Sequence, residues 1–96
     1  MKFLHLTYAF EYNEAIEEIL DEHEVGRYVR YPRTDGSDPW GKHFGSQVFP
    51  GNFAVVQALV DDDRCGALLD ALREFRDARE SHRGTIAAVL DINEVL

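Results

Sequence analysis

Gly41-Lys42-His43-Phe44-Gly45-Ser46-Gln47-Val48-Phe49-Pro50-Gly51-Asn52 lies between two segments that read as strands, where a small domain would normally make a tight turn. From Pro32 to Gly51 the connection is about twenty residues, several times the usual loop length, which marks it as functional or disordered. A disordered linker has no buried anchors, yet this one carries Trp40, Phe44, Val48 and Phe49 among its glycines and prolines. The mixture predicts a loop that closes on something.

After the loop, Asn52 to Val60 (NFAVVQALV) is the most continuous apolar run and reads as a central strand, buried on both sides or nearly so. Before it, Val25 to Pro32 (VGRYVRYP) alternates Arg27, Val29 and Tyr31 with Tyr28 and Arg30. Pro32 has no N–H for a ladder, so pairing is expected to fray there and release the loop. Further out, Lys2 to Ala9 (KFLHLTYA) has strand alternation. Asn13 is placed to cap a helix with Ile16, Ile19, Leu20 and His23 on one face, and Gly26 sits at its expected stop. Asp61, Asp62 and Asp63 open a second helix with the apolar face Cys65, Leu68, Leu69, Leu72 and Phe75, and Thr85 to Ile92 (TIAAVLDI) reads as the last strand. The outer side of the second helix, with Asp70, Arg73, Glu74, Arg76, Asp77, Arg79 and Glu80, reads as an ordinary solvated pattern.

Strand, helix, strand, strand, helix, strand in a single domain over residues 1–96 is the α+β, ferredoxin-like βαββαβ pattern, a four-stranded antiparallel sheet with two helices on one face. The first strand has Leu4, Leu6 and Tyr8 on one side and Phe3, His5 and Thr7 on the other, so both sides are largely apolar. A sheet covered once should be polar on its bare side, so the second face is expected to be buried against other copies of the chain.

Composition narrows the function classes. Ninety-six residues, 45% of them hydrophobic, allow one modest core, which favours an oligomer. A net charge of -8, with 18 acidic against 10 basic side chains, repels a phosphate backbone and argues against nucleic-acid binding. The acidic run from Glu11 to Glu24 reads as a solvated helix face. One cysteine, Cys65, rules out an internal disulfide, and no apolar run reaches the length of a membrane span, so a cytoplasmic chain without membrane insertion is expected. The chain has no nucleophile triad, no Walker-type phosphate loop and no carboxylate pair in an apolar setting, and is expected not to be an enzyme.

On topology, and on three local runs, the chain resembles the PII-like signal-transduction superfamily, in the manner of its divergent short-loop members. The runs are Gly45-Ser46-Gln47-Val48-Phe49-Pro50-Gly51-Asn52, Asp61-Asp62-Asp63, and Gly84-Thr85-Ile86 leading to a strand that ends Asp91-Ile92-Asn93-Glu94-Val95-Leu96. The resemblance implies a homotrimer with clefts between subunits, each walled by the long T-loop of one chain and the turn before the last strand, here roughly Lys42 to Asn52 and Ser81 to Thr85. It implies an adenine nucleotide or other small anion there, and a loop that signals to a membrane transporter or other regulated partner. Glycines let backbone amides approach such an anion, and a ligand can order such a loop.

Lys42, His43, Gly45, Ser46, Gln47, Arg83, Gly84 and Thr85 are accordingly the expected ligand residues, and Arg33, Trp40 and Phe44 the expected partner-binding ones. Arg33, Lys42 and Arg83 can serve an anion if they converge on the cleft, and are otherwise surface charges offsetting Asp35 and Asp38. Trp40 is expected to anchor a partner, Phe49 to pin the loop to the body, and Cys65 to pack in the core. The sequence departs from the nucleotide-binding branch in three ways. Its loop lacks a tyrosine after Tyr31, the turn Ser81-His82-Arg83-Gly84-Thr85 lacks the Gly-Asp-Gly-Lys run, and no C-terminal arginines appear before Leu96. Two other readings stay open: a trimeric metal-handling protein of the divalent-cation-tolerance type using His43 as a metal ligand, and a small ferredoxin-like enzyme. His5, His23 and His82 are scattered, with no zinc-type spacing.

Overall fold

The computed structural model describes all 96 residues. Strands β1 (Lys2–Ala9), β2 (Tyr28–Thr34), β5 (Phe53–Val60) and β6 (Ile86–Asp91) form one antiparallel sheet in the order β2-β5-β1-β6, and a hairpin of β3 (Gly36–Asp38) and β4 (Gly41–His43) stands apart. Helices α1 (Asn13–Glu22) and α2 (Asp62–Ala78) lie on one side of the sheet. This is the ferredoxin-like arrangement. No helix is long and apolar enough to cross a membrane.

Alternation along the strands decides where the core sits. Leu4, Leu6 and Tyr8 of β1 have no exposed surface, and their register partners Ala58, Val56 and Ala54 on β5 are likewise buried. Ile16 and Leu20 of α1 and Cys65, Leu68 and Leu72 of α2 close over them. Tyr8 is the largest side chain in this layer, and its hydroxyl donates to Asn13 Oδ1 at 2.8 Å. Burial pushes its pKa up to about 12, because the phenolate would lose its hydration.

The opposite side of the same strands is uncovered. Register places Leu90, Phe3 and Leu59 in one row, Ala88, His5, Gln57 and Val29 in the next, and Ile86, Thr7, Val55 and Tyr31 in the third. Val29, Tyr31, Ile86 and Leu90 are all at least half exposed. β5 is therefore buried on one side, while its other side is only part covered.

Several local expectations shift. Asn13 does not cap α1; it is the first residue of the helix and spends its side chain on Tyr8 and on the Pro32 carbonyl, to which Nδ2 donates at 3.0 Å. Pairing does not end at Pro32, because β2 slips register between Tyr31 and Thr34 and resumes at Thr34 opposite Phe53. The missing N–H is absorbed in a bulge, and the freed carbonyl is the one Asn13 takes. Helix α1 stops before Gly26. Val25 N–H donates to the Leu20 carbonyl and Glu24 N–H to that of Asp21, with Glu24 in the left-handed region at φ 56°. The Glu24 carboxylate also pairs with Arg64 at the start of α2.

Leu68 shows how much the covered face carries. Leu68→Ala will lower the unfolding free energy by about 2–5 kcal/mol, seen in urea denaturation as an earlier midpoint at unchanged slope.

Candidate functional site

The connection between β2 and β5 is folded. Gly36 opens the β3–β4 hairpin against the Phe53 ring, where a Cβ would come within 2.3 Å of the ring, so only glycine admits this approach. Asp38 Oδ1 accepts from the Trp40 N–H at 2.9 Å, fixing the turn that reverses the chain. Beyond β4, Phe44 and Ser46 N–H both donate to the Phe49 carbonyl at 3.1 Å, and Gly45 N–H donates to that of Gly51 at 2.7 Å. Gly45 has φ 71° and a Cβ there would lie 2.6 Å from Asn52 Oδ1. Asn52 is the hub of the stem: its Oδ1 accepts from Arg33 Nε at 2.8 Å, and its Nδ2 donates to the Thr34 carbonyl and to Asp35.

Where the hairpin folds back it meets the end of β1 and the turn before β6, leaving a cleft of about 810 Å³. That is enough for a small-molecule ligand. Phe10 and Phe53 supply apolar lining, Trp40 and Arg83 also line it, and Glu11 and Glu80 add carboxylates. The Arg83 guanidinium lies 4.1 Å above the centre of the Trp40 ring, a cation–π contact joining the hairpin to the turn, and also donates to Glu80 Oε1 at 3.0 Å. The turn is itself pinned. His82 is buried, stacks on Phe75 with ring centres 3.9 Å apart, meets Tyr12 edge-on, and has Nδ1 2.7 Å from the Phe75 carbonyl. That contact requires Nδ1 to carry the proton.

His43 holds the two ends of the loop together. Nδ1 lies 2.8 Å from the Pro50 carbonyl and Nε2 3.1 Å from Asp38 Oδ1, while the ring packs edge-on to Phe53. Two acceptors facing one imidazole favour the doubly protonated ring. The Pro50 carbonyl, helped by the Asp38 carboxylate, raises its pKa above the ordinary imidazole value, against partial burial and Arg83.

Of the expected ligand residues, the structure brings His43, Arg83 and Gly84 to the cleft. Trp40, expected as a partner anchor, lines it as well. Lys42 lies over the Phe49 ring, Ser46 Oγ accepts from the Phe49 N–H, and Gly45 serves the loop's own hydrogen bonds. Gln47 is exposed at the tip; Thr85 is buried, and its hydroxyl has no hydrogen-bond partner within the chain. Arg33, stacked on Phe10 and bonded to Asn52, does not converge with Lys42 and Arg83. Phe44 packs on Phe49, so Phe49 pins the loop to itself. Both ring nitrogens of His43 are engaged, and no three His, Cys, Asp or Glu side chains of one chain gather closely enough to hold a metal ion. Asp38, Phe10, Glu11 and Glu80 are cleft residues that sequence reasoning missed. In the sequence Asp38 reads only as an acid offset by nearby cations.

The His43 contacts fix a pH dependence. A pKa raised by folding gives stabilisation fully present below the unfolded value of about 6.5 and lost as pH rises through the higher folded value. Amide exchange at Phe44 and Gly45 is therefore expected to quicken, beyond its intrinsic pH dependence, as pH rises from near 6 into the alkaline range. His43→Ala will abolish that excess. Gly45→Ala will speed the same amides at every pH, with the exchange of β1 and β5 unchanged.

No sequence family and no curated protein matches the chain; solved structures do. CPII, a nitrogen regulatory PII-like protein from Thiomonas intermedia K12, bound to ADP, AMP and bicarbonate, superposes with a TM-score of 0.79 at 22% identity, over 95% of this chain and 84% of that one. Its apo form gives 0.72 at 21% identity, over 95% and 87%. A structure described as a PII-like signaling protein from Thermus thermophilus gives 0.70 at 15% identity, over 93% and 83%. On these superpositions, which span nearly the whole chain, the chain has the fold of the PII-like proteins.

Proposed function

We propose that this chain is a non-enzymatic PII-like regulator. It assembles as a homotrimer through the uncovered sheet face, takes a small ligand at its clefts, and signals through residues 33–51 to a transporter or other partner. The observation that carries the reading is Phe53. It precedes buried Ala54, so it stands on the uncovered side of the sheet, and it also lines the cleft. A neighbouring copy packed on that side would border the cleft, and ligand binding would then be coupled to assembly and to the hairpin.

The uncovered rows support association between copies. They are largely apolar at both ends, with Leu90, Phe3 and Leu59 at one and Ile86, Thr7, Val55 and Tyr31 at the other, and of the row between them, Ala88, His5, Gln57 and Val29, only His5 and Gln57 are polar. Contiguous apolar surface of this kind marks an interaction site. The ligand class follows from the cleft, with aromatic rings at Phe10, Phe53 and Trp40 and a cation at Arg83. A planar base with an anionic group fits that combination. CPII, which shares the fold, was solved with ADP, AMP and bicarbonate, so these are the first ligands to try.

Light scattering is expected to give three times the 11.0 kDa chain mass. Leu90→Asp together with Ile86→Asp will reduce it to that of one chain while leaving the helical circular dichroism in place. Calorimetric titration of the wild type with ADP, AMP and bicarbonate is expected to give saturable heat for at least one of them. A monomeric wild type that binds none of the three overturns the reading.

A further inference from the structure

Beside the cleft, on the far side of Arg83, lies a second depression of about 310 Å³ whose wall is entirely charged: Arg76, Asp77, Arg79, Glu80 and Arg83. Three of the chain's ten cationic side chains meet here, in a molecule whose net charge is -8. The concentration comes from folding. Arg76 sits in the last turn of α2, and the chain then breaks at Arg79, turns through Glu80–His82 and returns Arg83 alongside. Buried His82, clamped by Phe75 and Tyr12, holds that return in place.

The three arginines are not equally engaged. Arg76 Nε donates to Asp77 at 2.9 Å and Arg83 donates to Glu80 at 3.0 Å, whereas Arg79 makes no ion pair. Arg83 is shared, with one face on Trp40 in the cleft and its guanidinium on Glu80 in this depression.

We propose that Arg76, Arg79 and Arg83 form a site for a phosphate-type anion, joined to the cleft through Arg83. Guanidinium groups match the oxygens of a phosphoryl group in paired hydrogen bonds, and three of them converging on one depression give a tetrahedral anion partners on several sides. Asp77 and Glu80 then become competitors that the anion displaces, and Arg79 is the cation free to engage first. The same chemistry reaches the site from two sources, a free anion or the phosphate tail of a ligand whose planar part occupies the cleft. Only the second source rests on the function proposed above.

Inorganic pyrophosphate, titrated calorimetrically into the whole protein at low salt, probes the site directly. Saturable binding is expected, weakened at least tenfold by Arg79→Gln and by Arg76→Gln. Arg73→Gln is the charge-matched control, because Arg73 lies one turn earlier, pairs with Asp70 and does not line the depression; it is expected to bind as the wild type does. Circular dichroism checks that each variant is folded. ADP and adenosine, compared on wild type and Arg79→Gln, separate the sources. If ADP exceeds adenosine tenfold or more and Arg79→Gln removes the difference, the anion arrives as a tail. If pyrophosphate binding depends on Arg79 while ADP and adenosine behave alike, the anion is free, and failure of ADP, AMP and bicarbonate to bind would then remove the nucleotide reading and leave this site standing. The proposal is overturned if neither pyrophosphate binding nor the ADP–adenosine difference depends on Arg79, or if Arg73→Gln weakens binding as much.

Discussion

Both helices lie on the Leu4–Leu6–Tyr8 side of the sheet, and that choice constrains everything else in the molecule. Two helices are enough to cover one side of four strands, and there Leu4, Leu6 and Tyr8 of β1 and Ala54, Val56, Ala58 and Val60 of β5 are all buried. The chain has nothing left for the other side, where Val29, Tyr31, Ile86 and Leu90 stand half exposed or more. Apolar surface buried against a partner contributes about 25 cal/mol per Å², so the uncovered rows hold stability that one copy leaves unused. The cleft opens at the border of that same side, where Phe53 belongs to both.

The strands and helices were legible because their periodicity is strong. The alternation in Lys2–Ala9, the apolar run in Asn52–Val60 and the helical spacing of Cys65, Leu68 and Leu72 each point to one element, and the structure keeps all three, although the strand expected to be buried on both sides is buried on one and only part covered on the other. The hairpin was not legible. Gly36-Ser37-Asp38 and Gly41-Lys42-His43 are short and polar, without a hydrophobic pattern, and they pair because of contacts made far away in the chain, such as Gly36 on Phe53. The stop of α1 was misplaced by two residues for a related reason. A glycine is the usual left-handed residue at that position, but here Glu24 takes it and gains an ion pair with Arg64 that only the folded chain supplies.

The same distinction applies to the candidate site. His43 stood out as a ligand or metal contact and Arg83 as an anion contact, and the cleft contains both. Lys42, Ser46 and Gln47 looked equally eligible, yet the loop uses Lys42 and Ser46 to hold its own shape and leaves Gln47 at the tip. His82 looked incidental because Tyr12, which encloses it together with Phe75, lies far off in sequence. Arg76 and Arg79 read as a solvated helix face. That reading treats α2 as an isolated cylinder and contains no information about the chain doubling back to bring Arg83 beside them.

The carbonyl of Pro32 has a consequence for how far the excursion can travel. Asn13, itself tied to buried Tyr8, donates to it, and Asn52 grips Arg33, Thr34 and Asp35 from the other strand. The root of the hairpin is thus bolted to the helix layer on one flank and to the central strand on the other. Any swing would have to pivot above that root, moving the tip through an arc while the base stays still, and would change the hairpin's angle and not its reach.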